Sequence, residues 1–360
     1  MKRTPLYPNH QRLKAKIIDF HGWEMPVYYS SIKEETLAVR QTCGIFDVSH
    51  MGNILIQGEE AQSFCDFMIT NSISDKKENQ IIYSPLCTPE GGIVDDILVY
   101  KFNTRKLLLI VNASNKGKDF KWLNDHSSGF QVSLEDQSDR FSLLAVQGPE
   151  SSSILKKNLA LDLDDLDYYT FKKTGANPDC LISRTGYTGE RGYELLVENS
   201  LAVPLWEKIL KSSGCVPCGL GARDILRLEA AFPLYGQELS FTINPFESNL
   251  SRFVRLEKDN FLGKTALMKF KENHKNTRIG FTMVLNKIAR QDSLIYAEDD
   301  QKEIGWVSSG TFSFNLGKSI GMGFINKNEI KSEIFQIKIS DKFYRAQKVK
   351  MPFIKSNVKE

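Results

Sequence analysis

Two adjacent carboxylates interrupt the apolar run GGIVDDILVY at residues 91–100. The run predicts a β-strand, on which successive side chains point to opposite faces. We expect Asp96 to share a face with Val94 and Tyr100, while Asp95 points to the other. Both faces are apolar, and burying an unpaired carboxylate costs several kcal/mol or more. The run therefore predicts one chemically active carboxylate with a structural neighbour, although one aspartate could instead be solvated or cap the preceding glycine turn.

A second set of polar residues occurs in RTGYTGERGYELLVE, residues 184–198. Three glycines at 186, 189 and 192 predict a tight loop that delivers Glu194 onto an apolar strand. A glutamate in that position suits a ligand edge with two adjacent N–H donors. The GxxxxGK[ST] pattern is missing from this segment, which excludes a P-loop. A hairpin with a solvated glutamate is the structural alternative.

Two arginines lie four residues apart in GARDILRLEA, residues 221–230. That spacing puts Arg223 and Arg227 on one face of a predicted helix. The planar guanidinium binds a carboxylate through two parallel hydrogen bonds, so this face suits an acidic ligand. An arginine paired internally with Asp224 or Glu229 would give the same pattern.

The cysteines do not predict a metal site. Cys215 and Cys218 form one CxxC, but the chain has no second CxxC, and its five histidines offer no zinc-finger spacing. The six cysteines are scattered, which is typical of a reducing compartment. We therefore expect the CxxC thiols to pack in the core.

The elements that must position these residues follow from capping and turn signals. Ser31 and Glu34 form a capping box at the start of a helix, and FNTR at 102–105 predicts a hairpin between two strands. Helices are also predicted at about 115–126, after Pro149, and around the segment 221–230. From about residue 277 onward, short β-runs separated by turn residues are typical of a small barrel. The pattern predicts an α+β fold with a C-terminal β domain.

The composition is that of an ordinary globular protein. Hydrophobic residues make up 41% of the 360 residues and charged residues 25%, and the net charge of +3 is too small to indicate nucleic-acid binding. No run approaches the roughly 20 apolar residues of a membrane span, and the basic N-terminus has no apolar signal-peptide core. The length predicts two or three domains.

Segments along the whole chain, taken in order, resemble the aminomethyltransferase (T-protein) family of the glycine cleavage system. The matching segments are TPLY (4–7), GWEMPVYY (22–29), CGIFDVSHMG (43–52), YSPLCTPEGGIVDDILVY (83–100), VNASN (111–115), VQGP (146–149), RTGYTGERGYEL (184–195), GARDILRLEA (221–230), PLYGQEL (233–239) and MPF (351–353). FDVSHMG, GGIVDD, GYTGERGYE and GARDxLRLEA are together highly specific.

The resemblance implies a three-domain, ring-like folate-binding architecture. The implied division is a discontinuous first α/β domain (1–50 with 140–270), a second α/β domain (51–139) and a C-terminal β-barrel domain (271–360). It also implies transfer of the aminomethyl carbon from lipoylated H-protein to tetrahydrofolate, which acts as a co-substrate without a metal. The expected partners are H-protein and folate, with neither nucleic acid nor membrane.

The resemblance carries over residue roles as well. Asp96 is implied to be the catalytic carboxylate, semi-buried and ionised beside the reduced pterin, where general acid–base assistance is worth about 10²–10⁴-fold. Glu194 is implied to pair with the pterin N–H groups, and Arg223 with a folate carboxylate or the pocket wall. The remaining folate-binding residues implied by the family are Met51, Tyr83, Tyr100, Asn112, Tyr168, Tyr187 and Arg290.

Three segments depart from the family pattern. His21 stands in FHGWEMP where the family has a small residue, NPFESNLSRF (244–253) replaces a TPLEAGLGW-like segment, and ARQDSLI (289–295) replaces a PRxGxPV-like loop. The last departure weakens the assignment of Arg290.

The alternative function is a non-catalytic folate-binding relative that assists iron–sulfur or tRNA-modification enzymes. Because Asp96, Glu194 and Arg223 are all present, the catalytic function is favoured. The early position of TPLY leads us to expect a bacterial cytoplasmic enzyme.

Overall fold

The computed structural model describes residues 1–175, 180–298, 302–329 and 332–358. The α-helices in these ranges are α1 (Tyr7–Arg12), α2 (Ile32–Gln41), α3 (Ala61–Met68), α4 (Lys116–Asp125), α5 (Ser151–Leu159), α6 (Asn199–Leu210), α7 (Leu220–Glu229) and α8 (Lys264–Asn273). Short 3₁₀ turns lie at Ser251–Phe253 and Lys327–Glu329. Within the described ranges, none of the helices has the length and apolar character needed to cross a bilayer.

Nineteen strands occur in the described ranges. They are β1 (Lys16–Phe20), β2 (Trp23–Tyr28), β3 (Cys43–Asp47), β4 (Gly52–Gln57), β5 (Ile81–Cys87), β6 (Ile93–Asn103), β7 (Lys106–Val111), β8 (Ser133–Asp136), β9 (Phe141–Gln147), β10 (Phe171–Lys173), β11 (Leu181–Ser183), β12 (Gly192–Glu198), β13 (Cys215–Cys218), β14 (Asn276–Met283), β15 (Leu294–Ala297), β16 (Glu303–Ser313), β17 (Lys318–Asn326), β18 (Ile334–Ile339) and β19 (Lys342–Val349).

The strands form two large sheets, a barrel and one hairpin. The first sheet has the order β10-β11-β12-β9-β3-β13 and the second the order β5-β6-β7-β4-β8. The last six strands close a barrel in the order β14-β17-β16-β15-β18-β19, and β1 pairs with β2. The predicted α+β class and the C-terminal barrel are confirmed.

Local signals placed several elements correctly. The Ser31 hydroxyl accepts a hydrogen bond from the Glu34 amide at 3.2 Å, which caps α2 as predicted. The hairpin between β6 and β7 turns at residues 104–105, where the Arg105 amide donates to the Asn103 side chain at 2.9 Å. Helix α5 begins two residues after Pro149.

The two large sheets pack face to face through what we call the interlayer core. This cluster of apolar side chains includes Phe46, Ile81, Tyr100, Leu108, Leu143, Leu181 and Leu196. The outer face of the first sheet is covered by α5 and α6, and the outer face of the second by α3 and α4. Because side chains alternate along a strand, Glu194 of β12 points to the same side as Leu196, into the layer between the sheets.

A β-bulge at Val94 corrects one predicted detail. The register between β5 and β6 shifts between Leu86 and Cys87, which leaves Val94 as the extra residue of β6. Val94 therefore packs in the core covered by α3 and α4, on the side of Asp95. The prediction that Val94 shares a face with Asp96 is wrong, because a bulge interrupts the alternation of side chains.

The domain boundaries follow the three sheets and remain a proposal. One segment of the proposed first domain contacts α3, which covers the second sheet, and the loop that follows α3. The Arg255 amide donates to the Thr70 carbonyl at 2.8 Å, and the Leu262 amide donates to the Phe67 carbonyl at 2.9 Å. We therefore propose that residues 255–262 go with the second sheet.

The CxxC thiols are packing residues, as the sequence predicts. Cys215 and Cys218 are free and buried at the two ends of β13. Burial raises the pKa of the Cys218 thiol well above its usual range, which disfavours the reactive thiolate.

Candidate active site

Asp96 lies half-buried on the interlayer side of β6, between two hydrogen-bond donors. The Tyr83 hydroxyl donates to its Oδ2 at 2.9 Å, and the Asn112 amide nitrogen Nδ2 donates to its Oδ1 at 2.9 Å. Burial raises the pKa of Asp96 to about 7, the charge of Asp95 adds to this, and the two hydrogen bonds oppose it. A pKa of about 7 lies close to neutral pH, and the expected ionised state of Asp96 stays a prediction.

Asp95 lies behind Asp96 and is fully buried. Its carboxylate accepts hydrogen bonds from the Asn112 amide N–H at 3.1 Å, from Asn112 Nδ2 at 2.8 Å and from Asn115 Nδ2 at 2.6 Å. Both carboxylates are held by side chains of the neighbouring strand and loop, and within the described residues neither caps the glycine turn. Asp96 is nevertheless only half-buried, so it keeps some contact with solvent.

Tyr83 connects Asp96 to the wall of the site. Its ring contacts Phe253 edge to face, with ring centroids 4.7 Å apart. Burial and the nearby charge of Asp96 raise the pKa of Tyr83 well above its usual range, so the phenol stays a neutral donor. Segment 244–253, which differs from the family pattern, thus supplies an aromatic residue at the edge of the site.

Glu194 lies on the opposite sheet and is only 8% exposed. The Thr185 hydroxyl donates to its Oε2, and a chain of hydroxyl contacts continues through Ser183 to Tyr100, at 2.8 and 3.0 Å. Burial raises the pKa of Glu194, while the Thr185 hydrogen bond and the positive charge of Arg223 lower it. The alternative of a solvated glutamate in a hairpin is wrong.

The two arginines of α7 have different environments. The Arg223 guanidinium lies over the Tyr187 ring, 4.7 Å from its centroid, and makes no ion pair with any described carboxylate. Arg227 is almost fully buried and pairs with Asp224 at 2.8 Å and Glu238 at 2.9 Å. Internal pairing therefore explains Arg227, whereas the Arg223 guanidinium has donors free for a ligand.

Aromatic and apolar side chains complete the wall. Tyr187 donates to the Pro233 carbonyl and stacks on Phe232 with ring centroids 5.6 Å apart. Tyr168 contacts the ring of Tyr169 edge to face at 4.7 Å. Met51 and Tyr169 both pack against the interlayer core, which also contains Tyr100. Two of the predicted residues, Tyr83 and Asn112, bond to Asp96, and Tyr187 lies close enough to affect it electrostatically. Arg223 and Tyr168 interact in the same way with Glu194, while Met51 and Tyr100 belong to the interlayer core.

Arg290 is the predicted residue that the structure does not connect to this group. It is exposed and lines a cavity of about 220 Å³ together with Asp224, Arg227 and Ser309. Within the described residues, no hydrogen bond or ion pair connects Arg290 to Asp96 or Glu194. The other departure, His21, is exposed and has a left-handed φ of 51°.

Sequence reasoning missed two buried residues at the site. Asn115 was not singled out, although its position three residues after Asn112, just beyond β7, was a usable signal. His50 is almost fully buried, its Nδ1 has no partner among the described residues, and burial with the charge of Arg223 lowers its pKa to about 4. His50 is thus neutral behind the arginine, and no pattern in the sequence indicated this.

The arrangement suits a flat, polar heteroaromatic ligand. Aromatic side chains lie next to each of three polar groups: a carboxyl with a pKa near 7, a buried glutamate on the facing sheet, and an arginine without an ion pair among the described carboxylates. The described residues contain no cluster of three or more histidine, cysteine or acidic side chains placed to hold a metal.

Known proteins match this chain over nearly its whole length. A family model described as the GCVT N-terminal domain matches residues 6–258, and one described as the glycine cleavage T-protein C-terminal barrel domain matches residues 276–355. An aminomethyltransferase of Thermosipho melanesiensis is 44% identical over 362 residues, covering 100% of this chain and 99% of that protein. One from Desulfitobacterium hafniense is 48% identical over 330 residues, covering 90% of each.

A solved structure shows the same fold. The crystal structure of glycine cleavage system aminomethyltransferase T from Bartonella henselae matches with a TM-score of 0.94 and 28% identity, covering 99% of both chains.

Proposed function

The chain belongs to the aminomethyltransferase (T-protein) family of the glycine cleavage system, and from this premise we propose how its own residues perform the transfer. In this reaction the aminomethyl carbon on the lipoyl sulfur of H-protein passes to tetrahydrofolate, giving 5,10-methylenetetrahydrofolate, ammonia and dihydrolipoyl protein. Two N–H protons leave the folate, and one ends on ammonia and the other on the freed sulfur.

Asp96 is the residue that moves a proton in this proposal. A carboxyl with a pKa of about 7 is populated in both forms at neutral pH, so it can accept a proton from a folate nitrogen and donate one to the leaving amine. Its ionised form also stabilises positive charge that develops on the transferred carbon. The hydrogen bonds from Tyr83 and Asn112 fix the orientation of the carboxyl group.

The remaining residues hold the folate in this proposal. Glu194 accepts hydrogen bonds from the amino and ring N–H groups of the pterin, and Arg223 binds a carboxylate of the folate tail. Met51, Tyr83, Tyr100, Tyr168 and Tyr187 supply the walls that exclude water. We leave Arg290 as an accessory residue, because its cavity adjoins Arg227 rather than Asp96.

The partner and the location are part of the proposal. We propose lipoylated H-protein as the donor and, since the reported relatives are bacterial proteins, the bacterial cytoplasm as the location. The non-catalytic alternative has no support, because the relatives reported above are named aminomethyltransferases.

The geometry around Asp96 is the observation that supports the proposal, and replacing Asp96 is the direct test. We expect Asp96→Asn to lower tetrahydrofolate-dependent ammonia release from aminomethyl-loaded H-protein by about 10²–10⁴-fold, because the amide cannot shuttle a proton. The Asp96→Asn protein should still fold and should bind folate as tightly as the wild type. Asp139→Asn, at a side chain that is 92% exposed, is the control. Turnover near that of the wild type in a folded Asp96→Asn protein would remove Asp96 from the mechanism.

A further inference from the structure

Asp95 is a fully buried carboxylate for which the proposed mechanism has no direct use. It lies on the side of β6 that faces α4, away from the interlayer side of Asp96, so it does not face the ligand. Retaining a buried carboxylate is costly unless donors surround it. Three N–H donors do converge on it, two from Asn112 and one from Asn115.

One amide group joins Asp95 to Asp96. The Asn112 Nδ2 atom lies 2.8 Å from Asp95 Oδ1, 2.9 Å from Asp96 Oδ1 and 3.2 Å from the Asp96 carbonyl oxygen. An amide nitrogen has only two hydrogens, so these acceptors share them. The two carboxylates are therefore coupled both by charge and through a single donor.

Two titratable groups of α4, Lys118 and Asp119, face Asp95, and both interact with its charge. Asp119 of α4 is fully buried, and its carboxyl group lies within hydrogen-bonding reach of Asp95. Burial and the charge of Asp95 raise the pKa of Asp119 to about 10, so Asp119 is neutral at pH 7. The Lys118 amine lies 3.7 Å from Asp119 and 4.1 Å from the ring centroid of Tyr235, and it donates to the Val94 carbonyl.

Resting on the proposed function of Asp96, we propose that Asp95 is a positioning residue for the transfer. Its buried negative charge, held by Asn112 and Asn115, lets Asp96 keep a proton at neutral pH and donate it to the leaving amine. Without that charge, Asp96 stays ionised and the reaction loses its acid. Asp96 gains one proton from the folate and gives one away in each turnover, so its own proton balance is zero.

The test is the isosteric variant Asp95→Asn, measured in two ways. Carbon-13 NMR of carboxyl-labelled aspartates in the substrate-free protein gives the ionisation midpoint of Asp96, with Asp96→Asn identifying its signal. Removing a like charge in a low-dielectric site should lower that midpoint by about one pH unit or more, a tenfold change in the ionisation constant. The pH profile of ammonia release should shift in the same direction.

Two further variants complete the design. Asn115→Ala removes one donor from Asp95 without touching Asp96. The Asp95 charge is then less compensated, so the Asp96 midpoint should rise slightly, and a fall in this variant would contradict the inference even if Asp95→Asn does not fold. Asp125→Asn, at the exposed end of α4, should leave the midpoint unchanged. An unchanged midpoint in folded Asp95→Asn, or a shifted midpoint with an unshifted turnover profile, would overturn the inference.

The NMR measurement separates this inference from the proposed function. If Asp96→Asn retained full turnover, the proposed function of Asp96 would fail whatever the midpoint showed, and the inference built on it would fail as well. If Asp96→Asn lost turnover but the midpoint did not respond to Asp95→Asn, only the role of Asp95 would be rejected.

Discussion

At the scale of single residues, the site depends on carboxyl groups whose surroundings differ. Asp96 is half-buried between a phenol and an amide, whereas Glu194 on the facing sheet has a hydroxyl partner and a nearby arginine charge. These surroundings give the two groups different tasks. In the proposed function, the first exchanges protons near neutral pH, and the second accepts hydrogen bonds from the folate.

We predict that Glu194→Ala weakens folate binding more than it slows turnover at saturation. Hydrogen bonds to a charged group are worth about 1.5–3 kcal/mol, so Kd should rise roughly 10- to 150-fold. Titration calorimetry measures this directly, with Glu198→Ala at the exposed end of the same strand as the matched control. Equal affinity in the wild type and Glu194→Ala would disprove the pterin-binding role.

Asp119 predicts a pH dependence of stability. Its pKa is raised to about 10 in the folded protein but is near 3.9 when the chain unfolds, so folding takes up a proton between these values. Stability from this group is fully present below pH 4 and is lost as the pH rises. Asp119→Asn removes this dependence, so its free energy of unfolding should fall less steeply than that of the wild type, by up to about 1.4 kcal/mol per pH unit.

Urea unfolding at pH 6, 7 and 8 measures how the free energy of unfolding changes with pH in the wild type and in Asp119→Asn. Asp125→Asn on the same helix should keep the wild-type slope, because its side chain is 47% exposed. Parallel slopes for the wild type and Asp119→Asn would mean that Asp119 is ionised in the folded protein.

At the scale of elements, a β-bulge and a buried ion-pair network lie next to the candidate site residues. The bulge at Val94 lies directly before the two aspartates of β6, and Asn112, just past β7, bonds to both. On the other side, Arg40 of α2 pairs with Glu229 of α7 at 2.7 Å and with Glu190 of the glycine loop at 2.9 Å. The helix that carries Arg223 is therefore tied to the loop that precedes Glu194.

Breaking the Arg40 connection should be costly. All three side chains are at most 8% exposed, and removing one partner leaves buried charges uncompensated. We expect Arg40→Ala to lower the free energy of unfolding by about 3–5 kcal/mol. Lys121→Ala, which breaks the exposed pair with Asp125, should cost no more than about 0.5 kcal/mol. Denaturant unfolding measures both costs. Similar losses in the free energy of unfolding for Arg40→Ala and Lys121→Ala would contradict the prediction.

At the scale of the whole molecule, Arg227 connects α7 to the barrel. Its guanidinium donates to Glu238 and to Ser309 of β16, both at 2.9 Å, and Ser308 also donates to Glu238. The barrel therefore meets the site-bearing part of the molecule through a buried polar network, together with the apolar contact of Leu228 with Met322.

We predict that Arg227→Met loosens this junction locally. Glu238 would lose its cationic partner, a cost of more than 1.4 kcal/mol, so amides of Glu303–Ser313 should exchange at least about tenfold faster. Amides of Ile93–Asn103 should keep their protection. Arg345→Met, which breaks an exposed pair with Glu298 on the barrel, is the control. Uniform acceleration in all elements would instead indicate global destabilisation.

The sequence by itself determined what depends on neighbouring residues. The Ser31–Glu34 cap and the turn after Asn103 were predictable because their hydrogen bonds join residues two or three apart. The same kind of pattern singled out Glu194 and the pair Asp95–Asp96 as candidates, since a carboxylate within an apolar strand stands out without knowledge of the fold. The choice of Asp96 over Asp95 came from the family resemblance and stays a prediction.

The tertiary structure alone decided which partners these residues have. The bulge at Val94, the neutral Asp119 beside Asp95, and the pairing of Arg227 with Glu238 depend on elements that meet only in the folded chain. Burial raises the pKa of Asp96 more than the charge of its neighbour Asp95 does, and hydrogen bonds from Tyr83 and Asn112 oppose both. The burial and the two hydrogen bonds depend on the fold, and no local pattern encodes them. The sequence therefore indicated which residues were candidates for the site. Their protonation states and hydrogen-bond partners were decided by how the elements pack in the folded chain.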